Sequence, residues 1–220
     1  MSPDSDSSPT VFVVDDDEQM RASLEALLNV LGFAVRTFPS AGSFSRYYQR
    51  DMPGCLVLDI RMPRQTGLEL YEQLLREGQR IPVIFITAHA DVPTAVAAMK
   101  TGALEFLEKP FDREKLLERV RAAISLDAEW RRRDADFSAV EARIRRLSDR
   151  ERDTLDLILA GESNKAMAAK LFVTERAVEM RRSSIMRKLE VHSLAELLDV
   201  TVTHRIFDEL RHAARELPAR

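Results

Sequence analysis

Between residues 11 and 125, short apolar runs alternate with longer stretches whose apolar residues recur every three or four positions. Runs of the first kind read as strands buried on both faces, and stretches of the second kind as helices that bury one stripe. The pattern predicts strands at 11–14, 34–38, 55–58, 83–86 and 104–107, rich in β-branched and aromatic residues. It predicts helices at 18–31, 41–49, 67–77, 93–100 and from 113 onward. Alternation of this kind implies a parallel sheet joined by crossover helices, hence an α/β domain over 10–125.

The stretch 126–146 is heavily charged and contains neither glycine nor proline, so a helical linker fits better than a flexible coil. Trp130, Phe137 and Ile144 recur every seven residues, with Val140 and Leu147 on the same seam and Arg133 interrupting it. A short coiled coil and an apolar stripe packed on its own neighbouring domains both fit. From Leu147 onward only helical patterns remain. Ser148 with Glu151 and Ser193 with Glu196 have capping-box spacing, Ser163 and Thr174 can cap further helices, and Gly161 can close the first. An all-helical domain is therefore expected over 147–206, followed by a C-terminal tail at 207–220. Residues 1–9, rich in Ser, Asp and Pro, lack the basic start and apolar core of a signal peptide and are expected to be a disordered tail.

Composition narrows the function. With 45% hydrophobic residues the 220-residue chain can bury two cores, and its net charge of -3 gives no global field for nucleic acid. Any such contact must be local. The single cysteine, Cys55, lies in an apolar run and has no intramolecular partner, which fits a packed residue in the reducing cytoplasm. No run approaches the ~18 apolar residues of a membrane span, so no membrane partner is expected.

Functional groups of a parallel sheet collect at the carboxyl ends of its strands. Asp15, Asp16 and Asp17 follow the first predicted strand, Asp59 the third, Thr87 the fourth and Lys109 the fifth. Carboxylates held together repel unless a cation neutralises them, and Mg²⁺ prefers such oxygen ligands together with water and phosphate. Asp15, Asp16 and Asp59 suit that role, while Lys109 and Thr87 can bind phosphoryl oxygens. Acids at strand ends are also ordinary turn formers; the whole constellation argues for more. His89 has no second ligand at metal spacing and reads as a loop residue.

The segments V-F-V-V-D-D-D-E, L-V-L-D-I-R-M-P, I-F-I-T-A-H-A and F-L-E-K-P-F, in that order, resemble a response-regulator receiver. The resemblance implies a flavodoxin-like α/β fold with a five-stranded parallel sheet. It makes Asp59 the phosphoacceptor for a sensor histidine kinase and Asp15 and Asp16 the acidic pair that holds Mg²⁺. It adds the backbone carbonyl of Arg61 as a further ligand, Thr87 and Phe106 as the switch pair, and a cis peptide at Lys109-Pro110. Asp17 is left without a role.

From Leu147 to about Arg205 the chain resembles a LuxR-type helix-turn-helix, matching at Glu151, Leu155, Gly161, Ser163, Asn164, Lys165, Ala168, Leu171, Val178, Lys188, Leu189 and Val191. The order of the two parts is that of the NarL/FixJ class. A recognition helix from Thr174 to Leu189 would bury Val178, Ile185 and Leu189. It carries five basic residues, Arg176, Arg181, Arg182, Arg187 and Lys188, against the acids Glu175 and Glu179, which supplies the local positive field. By position Glu179, Arg182 and Ser183 approach base edges, and Lys165, Thr174, Arg181 and Lys188 approach the backbone of double-stranded promoter DNA. Ala177 stands where the family usually has Thr, and Arg181 where it has His.

These resemblances together imply a phosphorylation-controlled transcription regulator, expected to be a homodimer when phosphorylated, with activation by receiver pairing or by release of the helical domain both open. An aspartyl-nucleophile phosphatase would need an acid two residues after Asp59, where Arg61 stands, so an enzyme is not expected. The departures at Ala177, Glu179 and Arg181 keep one alternative: a phospho-switched adaptor whose helical domain no longer binds DNA.

Overall fold

In the computed structural model, which describes residues 8–88 and 91–216 and side chains as far as Asp208, the chain divides into two units inside one helix, between Arg131 and Arg132. The first unit is built on strands β1 (Thr10–Val14), β2 (Ala34–Phe38), β3 (Gly54–Asp59), β4 (Val83–Thr87) and β5 (Glu105–Glu108). They form one parallel sheet in the order β2-β1-β3-β4-β5. Strand order reverses beside β1 and β3, which opens the crevice where α/β sheets bind ligands. Between the strands lie α1 (Glu18–Val30), α2 (Ala41–Tyr47), α3 (Gly67–Arg76) and α4 (Val92–Lys100), and α5 (Arg113–Arg145) follows β5.

Strand residues alternate between the two faces of the sheet. Phe12, Val14, Leu56, Leu58, Val83 and Phe85 enter one core with Phe44, Leu70, Tyr71 and Leu74. Val11, Val13, Cys55, Val57, Ile84 and Ile86 enter the other with Leu24, Leu28, Leu116 and Val120. Because helices cover both faces, the inner strands β1, β3 and β4 are almost wholly apolar, while the edge strands β2 and β5 carry Arg36, Glu105 and Glu108. Glycine is required where β3 starts: Gly54 has φ 145°, and a Cβ there would lie 1.8 Å from the Thr10 carbonyl oxygen.

The second unit contains the end of α5 with α6 (Asp149–Leu159), α7 (Asn164–Lys170), α8 (Glu175–Leu189) and α9 (Leu194–Glu216). Its core is formed by Leu147, Leu155, Ile158, Met167, Val178, Ile185, Leu189 and Leu197. The expected caps are present: Ser163 Oγ accepts from Ala166 N at 3.2 Å, Thr174 Oγ1 accepts from Ala177 N at 3.2 Å, and Gly161 takes φ 76° past α6. Glu196 accepts from His192 N rather than Ser193 N, while Ser193 Oγ accepts from Glu196 N.

The helix expected over 126–146 is present, as the continuation of α5 to Arg145 rather than as an element of its own. The seven-residue seam is satisfied within each unit rather than left for a coil: Trp130 lies under the Arg80 guanidinium, Phe137 stacks on His204, and Ile144 packs on the second core. The end drawn at 206 falls inside α9, where Val202, Ile206 and Phe207 continue helical spacing and no glycine or proline intervenes before Pro218. Of the tails expected at 1–9 and 207–220, residues 1–7 and 217–220 lie outside the described residues, as does His89.

Candidate functional site

Register brings the polar strand ends together. Val14 pairs with Leu58, Asp59 with Ile86, and Thr87 with Glu108. Asp15, Asp59, Thr87 and Lys109 therefore lie side by side at the carboxyl edge, and the Lys109 N–H donates to the Thr87 carbonyl at 2.7 Å. Asp15, Asp59 and Thr87 are buried, while Asp16 is exposed. Oxygens of Asp15, Asp16 and Asp59 lie within 4.8 Å of one another, a group that could hold a metal ion.

The ammonium of Lys109 is 2.7 Å from Asp15 Oδ2 and 3.6 Å from Asp59 Oδ1. One cation thus spans two of the three carboxylates. The Asp59 carboxyl is pushed up to about 6: burial raises it most, the Lys109 charge lowers it, Asp15 raises it, the Arg61 backbone N–H lowers it, and Asp16 raises it. Asp59 Oδ1 is buried and accepts no hydrogen bond, the Lys109 ammonium standing off at ion-pair distance, so its charge is only partly compensated. A hard divalent ion fits this donor set of crowded carboxylate oxygens, one of them unsatisfied.

Glycine also shapes the backbone here. A Cβ on Gly67, at the start of α3, would lie 2.2 Å from the Asp59 carbonyl oxygen. The Gly67 N–H donates to Ile60 O at 2.9 Å, closing the loop against the end of β3. Asp17 has a clear part: its Oδ1 accepts from Gln19 N at 2.8 Å and Met20 N at 3.3 Å, capping α1. Phe106 is partly buried against the core cluster of Phe85. The Lys109-Pro110 peptide is cis. Arg61 sends its side chain to Asp91, the N-cap of α4, at 3.7 Å.

In the second unit α8 presents Arg176, Glu179 and Ser183 to solvent, with Lys165 on α7 and the cap Thr174 also exposed. Arg181 and Arg182 are half-buried, and Arg182 Nη1 donates to Asn164 Oδ1 at 3.3 Å. Lys188 is engaged inside the unit: its Nζ donates to Glu151 Oε2 at 2.7 Å and to Arg146 O at 3.2 Å. Ser184 donates to Glu151 Oε1 at 2.7 Å. Burial alone would raise the Glu151 carboxyl, but the bonds from Lys188, Ser184 and Ser148 outweigh it and bring it down to about 2.

The sequence reading missed the groups that hold these elements in place. Asp127, 2% exposed, accepts from the Gly54 N–H at 2.9 Å and from Arg131 Nε at 2.7 Å. Arg131 also donates to the carbonyls of Asp51 and Met52. This clamp fixes the entry to β3 on α5. A charged residue in a charged stretch gave no signal of it.

Residues 11–121 match the family described as "Response regulator receiver domain", and residues 145–201 the family "Bacterial regulatory proteins, luxR family". The "Response regulator protein TodT" of Pseudomonas putida is 39% identical over 206 residues, 94% of this chain and 90% of that protein. The "Transcriptional regulatory protein FixJ" of Azorhizobium caulinodans is 43% identical over 188 residues, 86% of this chain and 89% of that one. Among solved structures, response regulator StyR superposes with a TM-score of 0.83 at 43% identity, covering 90% of this chain and 100% of that chain.

Proposed function

This chain belongs to the response regulators, DNA-binding transcription regulators rather than enzymes, with a receiver ahead of a LuxR-type domain, and on that premise we propose that Asp59 is its phosphoacceptor. The observation that carries the proposal is the convergence of Asp15, Asp16 and Asp59 with Lys109 bridging two of them. A histidine kinase is the phosphoryl donor. An Asp59 carboxylate oxygen attacks the phosphorus, the bond from phosphorus to the donor nitrogen breaks, and the imidazole leaves with the electron pair. Asp15, Asp16, Asp59 and the backbone carbonyl of Arg61 would hold Mg²⁺, which would supply positive charge to offset the charge on the phosphoryl oxygens. Lys109 binds one of those oxygens, and the Thr87 hydroxyl donates to another.

The half-buried position of Phe106 supports its role beside Thr87: drawing the hydroxyl toward the new anion opens space that the ring can enter. Phosphorylation then shifts an existing equilibrium of the receiver toward pairing of two copies. Helix α4 supports that step, since it leaves Val92, Val96 and Met99 exposed on a short element. In the DNA-binding unit, Arg176, Glu179 and Ser183 face base edges. Lys165, Thr174 and Arg181 contact the phosphate backbone, and Arg182 reaches the groove from its bond to Asn164. Lys188, engaged by Glu151, positions α8. No described helix is long and apolar enough to cross a membrane, and the buried free thiol of Cys55 suits the cytoplasm.

Incubation with acetyl phosphate and Mg²⁺, followed by intact-mass measurement, tests the phosphoacceptor. One added phosphoryl group is expected on the wild-type chain, and none on Asp59→Asn or after chelation of the metal. Undiminished incorporation by Asp59→Asn would refute it.

A further inference from the structure

Part of α8 is committed within its own unit. Val178, Ile185 and Leu189 are fully buried, Arg182 bonds to Asn164, and Ser184 and Lys188 bond to Glu151. The residues left facing water are Glu175, Arg176, Glu179, Met180, Ser183 and Arg187. Met180 is 69% exposed and is the one large apolar side chain so exposed among the described residues of this helix. It stands four residues after Arg176 and three before Ser183, so the three side chains share a face. An exposed apolar residue alone is ordinary. Its place in the middle of a polar, basic face is what calls for a partner.

The major groove offers one apolar group at a base edge, the C5-methyl of thymine. Methionine suits it, because an unbranched, polarisable thioether adapts to a small apolar target without needing one rotamer. We propose that Met180 reads a thymine methyl and is a specificity-determining residue of the DNA site. The inference rests on the DNA-binding reading of α8 and gives that reading a chemical content. The polar neighbours Arg176, Glu179 and Ser183 can bond to base edges but cannot read a methyl group, which leaves that contact to Met180.

The phosphorylated full-length chain is used to select its preferred duplex from a random pool, and each thymine of that duplex is then replaced by uracil, which lacks only the methyl. Wild-type binding should weaken about fourfold per half-site at one thymine, as expected for one lost methyl contact. Met180→Ala should bind the parent duplex about as weakly as wild type binds the uracil duplex, and the same uracil should cost it nothing further. Its salt dependence on random duplex should be unchanged, since no phosphate contact is lost. Full uracil tolerance by the wild type, absence of a fixed thymine from the selected site, or equal uracil sensitivity in Met180→Ala would overturn the assignment while leaving DNA binding intact. Absence of salt-dependent binding to any duplex would instead overturn the DNA-binding reading along with it.

Discussion

Burial raises the proton affinity of Asp59 to a pKa of about 6 against a Lys109 cation that lowers it, so at neutral pH the fold carries a charge that it does not fully satisfy. The sign follows from the shift. A raised folded-state value means that stability is greatest below the ordinary carboxylate value of 3.8 and falls as pH rises through about 6. In chelator at pH 7, Asp59→Asn should therefore be more stable than wild type by about 1–3 kcal/mol, measured by urea unfolding. Added Mg²⁺ should narrow that gap; an equally or less stable variant would show that the charge is not strained. Asp15, Asp59, Thr87 and Lys109 were legible in the sequence because each follows an apolar run, and parallel register aligns such positions. The part of Asp17 was not legible, since a third acid in a row looks like its neighbours until one carboxylate turns back on the α1 amides. Met180 was missed for a similar reason: methionine in a helical stretch reads as core until exposure is known.

At the scale of elements, two polar clamps do what apolar packing does not. Asp127 on α5 accepts from Gly54 at the start of β3 and holds Arg131 over the preceding loop. Asp127→Ala leaves a buried amide and a guanidinium without their acceptor. It should lower receiver stability by about 2–3 kcal/mol in urea unfolding, less than a fully buried pair would cost because Arg131 keeps some water; a change within about 0.5 kcal/mol would exclude the clamp. Glu151 links the cap of α6 to Ser184 and Lys188 on α8. Its depressed pKa gives stability that is present above its ordinary value of 4.5 and lost as pH falls toward about 2. Glu151→Gln should cost on the order of 2 kcal/mol at neutral pH, and thermal melts of the variant should lose the wild type's dependence on pH in that window. Sequence spacing found the capping box but not the reach to α8, because a contact between elements depends on how helices cross. The helical nature of 126–146 was legible from the absence of glycine and proline; its continuity with α5 was not, because periodicity carries across the boundary without a mark.

For the whole molecule, the near-neutral chain carries a local excess of basic residues on α8 of the second unit, and Asp59, the proposed phosphoacceptor, lies in the first. The order of the two parts was readable from motif order. The first compact unit runs on to Arg131, because Asp127 and Arg131, residues of the stretch read as a linker, bond to the entry of β3. Control of one unit by chemistry in the other is thermodynamic coupling, which typically changes affinity by about 5- to 150-fold. The most direct measurement is a titration of promoter DNA with the full-length chain, with and without acetyl phosphate and Mg²⁺, at fixed salt. Phosphorylation should tighten wild-type binding by about tenfold or more and leave Asp59→Asn unchanged; equal affinity of the phosphorylated and unphosphorylated chains would contradict control through Asp59.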